Sequence, residues 1–231
     1  MEPTAVLDDS QAHTAPPRGF TLIEMLVVLA IIAIITAIAV TGQSTFNKTL
    51  ILTDTAYDVA FSARQAQSYG LSSRTFGTLT TQNYGYGLHF DRVTPDRYTF
   101  FADTSHALAV AGGCPVGTAG TPSYKIGNCR FDSADGTVST YTFSRGFVVS
   151  KFCGKNGGSA AVCSTDSSPL TTLDLVFTRP NTTTTISGLL NGTSLRTFTC
   201  AQVTLSDQSR QATKTIRISS LGEISINQTC P

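Results

Sequence analysis

Glu24 is the one charged residue in an otherwise apolar stretch that runs from Phe20 to Val40. The only other polar side chains there are Thr21 and Thr36. A carboxylate in such surroundings costs about 3 kcal/mol on membrane-insertion scales, so it asks for both a function and a partner. The natural partner is an α-amino group. If the chain were cut after Gly19, Phe20 would become the N-terminus and Glu24 the fifth residue, one helical turn away. The chemistry would then be ion pairing between a new Phe20 ammonium and the Glu24 carboxylate, with Gly19 before the cut.

Six cysteines are the other candidates: Cys114, Cys129, Cys153, Cys163, Cys200 and Cys230. None forms a Cys-x-x-Cys pair, which points to an oxidising compartment and disulfides rather than zinc. Six cysteines allow 15 pairings. Neighbours in sequence are favoured, namely Cys114 with Cys129, Cys153 with Cys163, and Cys200 with Cys230. The last has the most behind it, because a chain end frays unless it is tied down. The histidines, His13, His89 and His106, make no catalytic set. His89, between Leu88 and Phe90, reads as a packing or surface residue. Signature motifs of serine hydrolases, zinc proteases, phosphate loops and calcium loops are missing from the sequence. The expectation is a protein that is not an enzyme and holds no cofactor or metal.

Charged residues make up 13% of the chain, about half the usual share. The formal charge is +1, and losing residues 1–19, with Glu2, Asp8 and Asp9 against Arg18, raises it to +3. That is too little to imply a polyanionic partner. Arg210, Lys214 and Arg217 are the only basic group that could hold DNA, and three charges over eight positions are more often a solvated strand. Tyr84, Tyr86, Phe90, Tyr98, Phe100 and Phe101 read as cross-strand packing pairs, with a stacking platform for bases as the competing reading.

These residues need elements to position them. Residues 1–17 are polar, end in Pro16-Pro17 and read as an unstructured leader. Residues 20–40 are long enough for a helix to cross the roughly 30 Å hydrocarbon core. They are apolar on every face, unlike the helix of a soluble core. A plain membrane anchor accounts for the run but not for the Gly-Phe junction or Glu24. A signal peptide could use Ala37-Ile-Ala39 as a cleavage site, but its apolar region would be too long and would contain a charge. Beyond Val40, Leu52, Ala56, Val59, Ala63, Ala66 and Gly70 form an amphipathic stripe that leaves Asp54, Asp58 and Arg64 off it. This extends the helix to about Leu71, roughly 75 Å in all, with Thr41-Gly42 as its weak point.

After Gly77 the pattern is β. Strands are expected at Tyr84–Asp91, Arg97–Ala102, Thr140–Phe152, Leu173–Thr178, Phe198–Leu205, Thr215–Ser219 and Glu223–Ile226. Residues 103–138 read as an insertion over the sheet, and Asn181–Thr185 as a loop. One long helix followed only by strands gives an α+β fold, with an antiparallel sheet packed on the helical stripe. The domains are then 1–19, 20–40, 41–72 and a β-rich head at 77–231.

The segment Gly19-Phe-Thr-Leu-Ile-Glu24 closely resembles the signature of type IV pilins and pseudopilins. That resemblance implies the pilin fold, cleavage by prepilin peptidase between Gly19 and Phe20, and N-methylation of Phe20. It also implies a role for Glu24 in assembly. The implied partners are other pilin or pseudopilin subunits, an inner-membrane assembly platform, and membrane lipid before assembly. The implied location is a single-pass inner membrane protein with its leader in the cytoplasm and its head in the periplasm or outside the cell. The C-terminal pattern of Leu175-Val-Phe-Thr-Arg-Pro180, Ala201-Gln-Val-Thr-Leu205, Thr215-Ile-Arg-Ile218 and Gly222-Glu-Ile-Ser-Ile226 resembles the GspH/FimT branch of minor subunits. That branch usually has Gly-Arg where this chain has Gly222-Glu223. The resemblance implies a structural subunit of a type IV pilus or type II secretion system, with a DNA-binding minor pilin for DNA uptake as the alternative.

Overall fold

The computed structural model describes residues 19–72, 74–77, 85–104, 127–179 and 183–231, with the side chains of 41–46 left aside. The chain divides at Thr45–Phe46 into an N-terminal unit and a β-rich unit, Phe46–Pro231.

Helix α1 spans Leu22–Leu71. Thr21 starts it: the Thr21 hydroxyl accepts from the Glu24 N–H at 3.3 Å, and its carbonyl takes the Glu24 and Met25 N–H groups. Within the second unit the helix buries Leu52, Ala56, Val59, Ala60, Ala63 and Ala66, while Asp54, Asp58 and Arg64 stay exposed. Alanines on this face let the helix approach the strands closely. At Gly70 a Cβ would run into the backbone carbonyl of Phe177.

The strands among the described residues form two antiparallel sheets, where the sequence suggested one. The first has the order β3-β2-β1-β6-β7-β8. Its strands are β1 (Gly85–Asp91), β2 (Arg97–Asp103), β3 (Gly136–Thr142), β6 (Leu170–Phe177), β7 (Thr184–Leu190) and β8 (Ser194–Phe198). The second has the order β11-β10-β9-β4-β5. It comprises β4 (Val148–Lys155), β5 (Val162–Cys163), β9 (Cys200–Ser206), β10 (Thr213–Ser219) and β11 (Ile224–Ile226).

Two expectations are corrected here. The run Thr140–Phe152 is not one strand: Arg145 and Gly146 adopt φ of 58° and 75°, and the chain leaves the first sheet at β3 to enter the second at β4. Residues after Asn181 are not all loop, because β7 begins at Thr184 and forms a hairpin with β8. The hairpin turns at Asn191 and Gly192, both with positive φ (52° and 76°), which is the requirement of the Asn-Gly turn.

The inner faces of both sheets and the helical stripe share one apolar core. Tyr69 of α1 packs on Tyr86 and Phe100, with ring centroids 5.5 Å away in each case. Tyr98 hydrogen-bonds Ser62 of the helix at 2.9 Å, and burial pushes its phenol up to about 12, against that hydrogen bond. Tyr86, Phe90, Tyr98, Phe100 and Phe101 are all buried, so their faces pack protein and are not open to a base. Tyr84 lies outside the described residues.

Opposite the helix, β1, β2 and β6 carry a second small cluster of Phe101, Val176, Cys129 and Phe131. Residues 127–135 are fastened there by polar groups. The Asp103 carboxylate accepts from the Asn128 and Cys129 N–H groups at 3.0 and 2.7 Å, and the Ser187 hydroxyl donates to the Cys129 carbonyl at 3.0 Å. This part of the expected insertion does lie on the sheet. Residues 105–126, with His106 and Cys114, fall outside the described residues.

Candidate processing and assembly site

The site is built on the first turn of α1 and the residues just before it. Gly19 and Phe20 precede the helix in non-helical backbone, and Phe20 is 79% exposed. Among the described residues, nothing lies within 4 Å of where a Cβ on Gly19 would be. Thr21 then caps the helix, placing Leu22 and Ile23 in the first turn and Glu24 third after the cap. Thr-x-x-Glu ahead of an apolar run is also a helix-start signature, one the sequence carries in plain view.

This geometry gives Glu24 two electrostatic tasks. It sits in the first turn, where unsatisfied N–H groups leave partial positive charge. It also lies one turn from the atom that becomes an ammonium if the chain is cut at Gly19. Glu24 is exposed and makes no ion pair with any described residue.

Leu22–Val40 is long and apolar enough to cross a membrane, and none of it is buried by the rest of the chain. Leu22, Ile23, Leu29 and Ile38 are among its exposed apolar side chains. Thr36, the polar residue in its middle, needs no outside partner. Its hydroxyl donates to the Ile32 carbonyl at 2.7 Å, and the Ala33 carbonyl lies at 3.1 Å. A hydroxyl satisfied within its own helix is compatible with hydrocarbon. Only Glu24 is left needing a partner from elsewhere.

Residues 16–40 match the family model described as the prokaryotic N-terminal methylation motif. This match supports the type IV pilin-like family for the N-terminal segment. The motif implies processing by prepilin peptidase and assembly with other pilin subunits. The apolar helix fits a pilin-like protein anchored in the inner membrane, and the N-terminal helix with its antiparallel β-sheet region gives the α+β pilin fold. No curated protein and no solved structure matches the chain.

The remaining candidates lie in the β-rich unit. Cys153 and Cys163 are register partners across β4 and β5 and are bridged, with Cα atoms 4.0 Å apart. Cys200, at the start of β9, is bridged to Cys230 with Cα atoms 5.9 Å apart. Cys129 is also disulfide-bonded; Cys114, its expected partner, lies outside the described residues. The basic trio does not form one patch. Arg210 is in the β9–β10 turn, Lys214 and Arg217 point to opposite faces of β10, and Arg217 contacts Glu223 at 3.2 Å and Gln228 at 3.0 Å.

Sequence reasoning missed a polar pair with one buried member, Asp174, and one half-buried, His89. His89 Nδ1 lies 2.6 Å from Asp174 Oδ1, directly across β1 and β6, and the His89 ring packs on Phe131 with centroids 4.5 Å apart. Period-2 alternation could have put His89 on the face opposite Leu88 and Phe90, but no local signal names Asp174 as its neighbour. Asp103 was missed as well. Burial pushes its carboxyl well up, helped by nearby Asp135 and Asp132 and opposed by the two backbone N–H groups it accepts. His13 lies outside the described residues.

Proposed function

We infer that this chain is a structural, minor pilin or pseudopilin subunit of a type IV pilus or type II secretion system, of the GspH/FimT branch. Prepilin peptidase cuts between Gly19 and Phe20, Phe20 is N-methylated, and the subunit waits in the inner membrane with its head on the periplasmic side. The assembly platform then draws it into a helical filament. The observation that carries this reading is a helix whose first part, Leu22–Val40, is apolar on all faces but for one carboxylate in its first turn, and which starts just after an exposed Gly-Phe junction.

Assembly exchanges lipid for the apolar helices of other subunits, so the buried apolar area is kept during the transfer. What changes is the cost of charge. An α-ammonium in a dry bundle costs several kcal/mol when unpaired. Glu24, from the same chain or a neighbour, neutralises it and thereby sets the axial register. Glu24→Ala should leave cutting and membrane insertion intact, since it removes a group that is costly in lipid, and should block entry into filaments. Mutant subunits in sheared filaments at the normal level would overturn the register role. The DNA-uptake alternative rests on Arg210, Lys214 and Arg217. It draws little support from a trio split between two faces, with Arg217 partnered by Glu223.

A further inference from the structure

One end of the second unit gathers more cations than carboxylates. Three turns meet there: Arg92–Asp96 between β1 and β2, Phe143–Phe147 between β3 and β4, and Asp207–Ala212 between β9 and β10. The Phe143 N–H donates to the Asp96 carbonyl and the Val149 N–H to the Pro95 carbonyl, both at 2.8 Å. Val148 and Thr213 each pair with Ser206, which brings the third turn alongside. A cleft of about 440 Å³ opens between the second and third of these turns and the adjoining part of α1, lined by Asn47, Lys48, Ile51, Arg145, Phe147 and Asp207 among others.

Lys48 and Arg145 come to this cleft from different elements, and Arg92 and Arg210 are exposed on the flanking turns. None of the four forms an ion pair among the described residues. Of the acidic groups nearby, Asp96 is paired with Arg97, while Asp207, which lines the cleft and acts on Lys48 electrostatically, and Asp91 accept only from neutral donors and keep their charge. Four cations against two carboxylates leave this end net positive. Beside the cations, Val93 is 83% exposed and Leu50 48%. Cationic groups with exposed apolar side chains between them match the chemistry of a lipid–water interface.

The tether settles the occupant. Lys48 follows Val40, the last residue of the apolar stretch, by eight positions. That is about 12 Å of helix and at most about 29 Å of extended chain. With residues 22–40 in a bilayer, Lys48 lies within about 12 Å of the end of the span where the helix continues, a distance over which basic residues are drawn to anionic lipid. We propose that Lys48 and Arg145, flanked by Arg92 and Arg210, bind the phosphate headgroups of anionic phospholipid and hold the unassembled subunit against its own membrane. This rests on reading residues 22–40 as a membrane span.

The test uses the full chain in nanodiscs of phosphatidylcholine alone or of phosphatidylcholine with phosphatidylglycerol, read by amide hydrogen exchange. The proposal expects exchange in the 143–147 and 207–212 turns to be about fivefold slower in the anionic discs, and the difference to shrink in high salt. Lys48→Glu with Arg145→Glu, both at exposed positions, should abolish the difference without changing thermal unfolding in neutral discs. Equal exchange in both lipids, with the protein incorporated, would overturn the proposal and leave the span reading standing. Slowing by inorganic phosphate in neutral discs, with none from phosphatidylglycerol, would assign the cleft to free phosphate and overturn the lipid. Failure to enter discs of either composition would overturn the span reading and the proposal together.

Discussion

Gly70→Ala tests how the helix seats on the sheet, because two effects of opposite sign meet there. In an exposed helix the change stabilises by up to about 1 kcal/mol, less this close to the helix end at Leu71. Here the new methyl would meet the carbonyl oxygen and carbon of Phe177. Phe177 cannot give way, since it is paired with Tyr86 on one side and Thr184 on the other. The helix must move instead, lifting Ala66 and Tyr69 from the core. Overpacking of this kind costs about 1–3 kcal/mol, so the net destabilisation is about 1–2 kcal/mol. For a unit of this size that lowers the melting temperature by roughly 3–6 °C. Gly158→Ala is the control: it has open space and no positive φ, and should leave melting unchanged or slightly raised. Thermal unfolding followed by circular dichroism reads both. A melting temperature raised by Gly70→Ala would refute the close seating of α1 on Phe177.

Cys230→Ser opens a loop of 30 residues, worth about 3–4 kcal/mol in the chain-entropy model, so melting should fall by about 10 °C and the C-terminus should become sensitive to protease. Unchanged melting would contradict the role given to that bridge. Asp103 carries a raised carboxyl pKa in the fold, so the folded state holds its proton more tightly than the unfolded chain does. Its favourable contribution is complete below the unfolded pKa of about 4 and is lost as pH rises through the raised folded value. Melting of the wild type relative to Asp103→Asn should therefore decline as pH rises from about 4, and a pH-independent difference would contradict the assignment.

The sequence was most legible where one physical demand acted alone. Glu24 in an apolar run allows few explanations, and the stripe from Leu52 to Gly70 follows helical spacing closely enough to be read by counting. Legibility failed where tertiary pairing decided the outcome. The run Thr140–Phe152 has β-forming residues on both sides of Arg145-Gly146, and only the pairing of β3 and β4 with different neighbours shows that it feeds two sheets, with positive φ at those two positions making the break. The β7–β8 hairpin did have a local signal in Asn191-Gly192, but the Thr-rich approach to it masked the strand. His89 and Asp174 are 85 residues apart in sequence and meet only through the register of β1 with β6, which no local pattern encodes.

The most direct test of the account is the intact mass of the protein extracted from membranes of cells that carry a prepilin peptidase. The account predicts a chain that has lost residues 1–19, begins at Phe20 and carries one added methyl group. An uncut chain beginning at Met1, or one beginning at Val40 after signal-peptide cleavage, would contradict it.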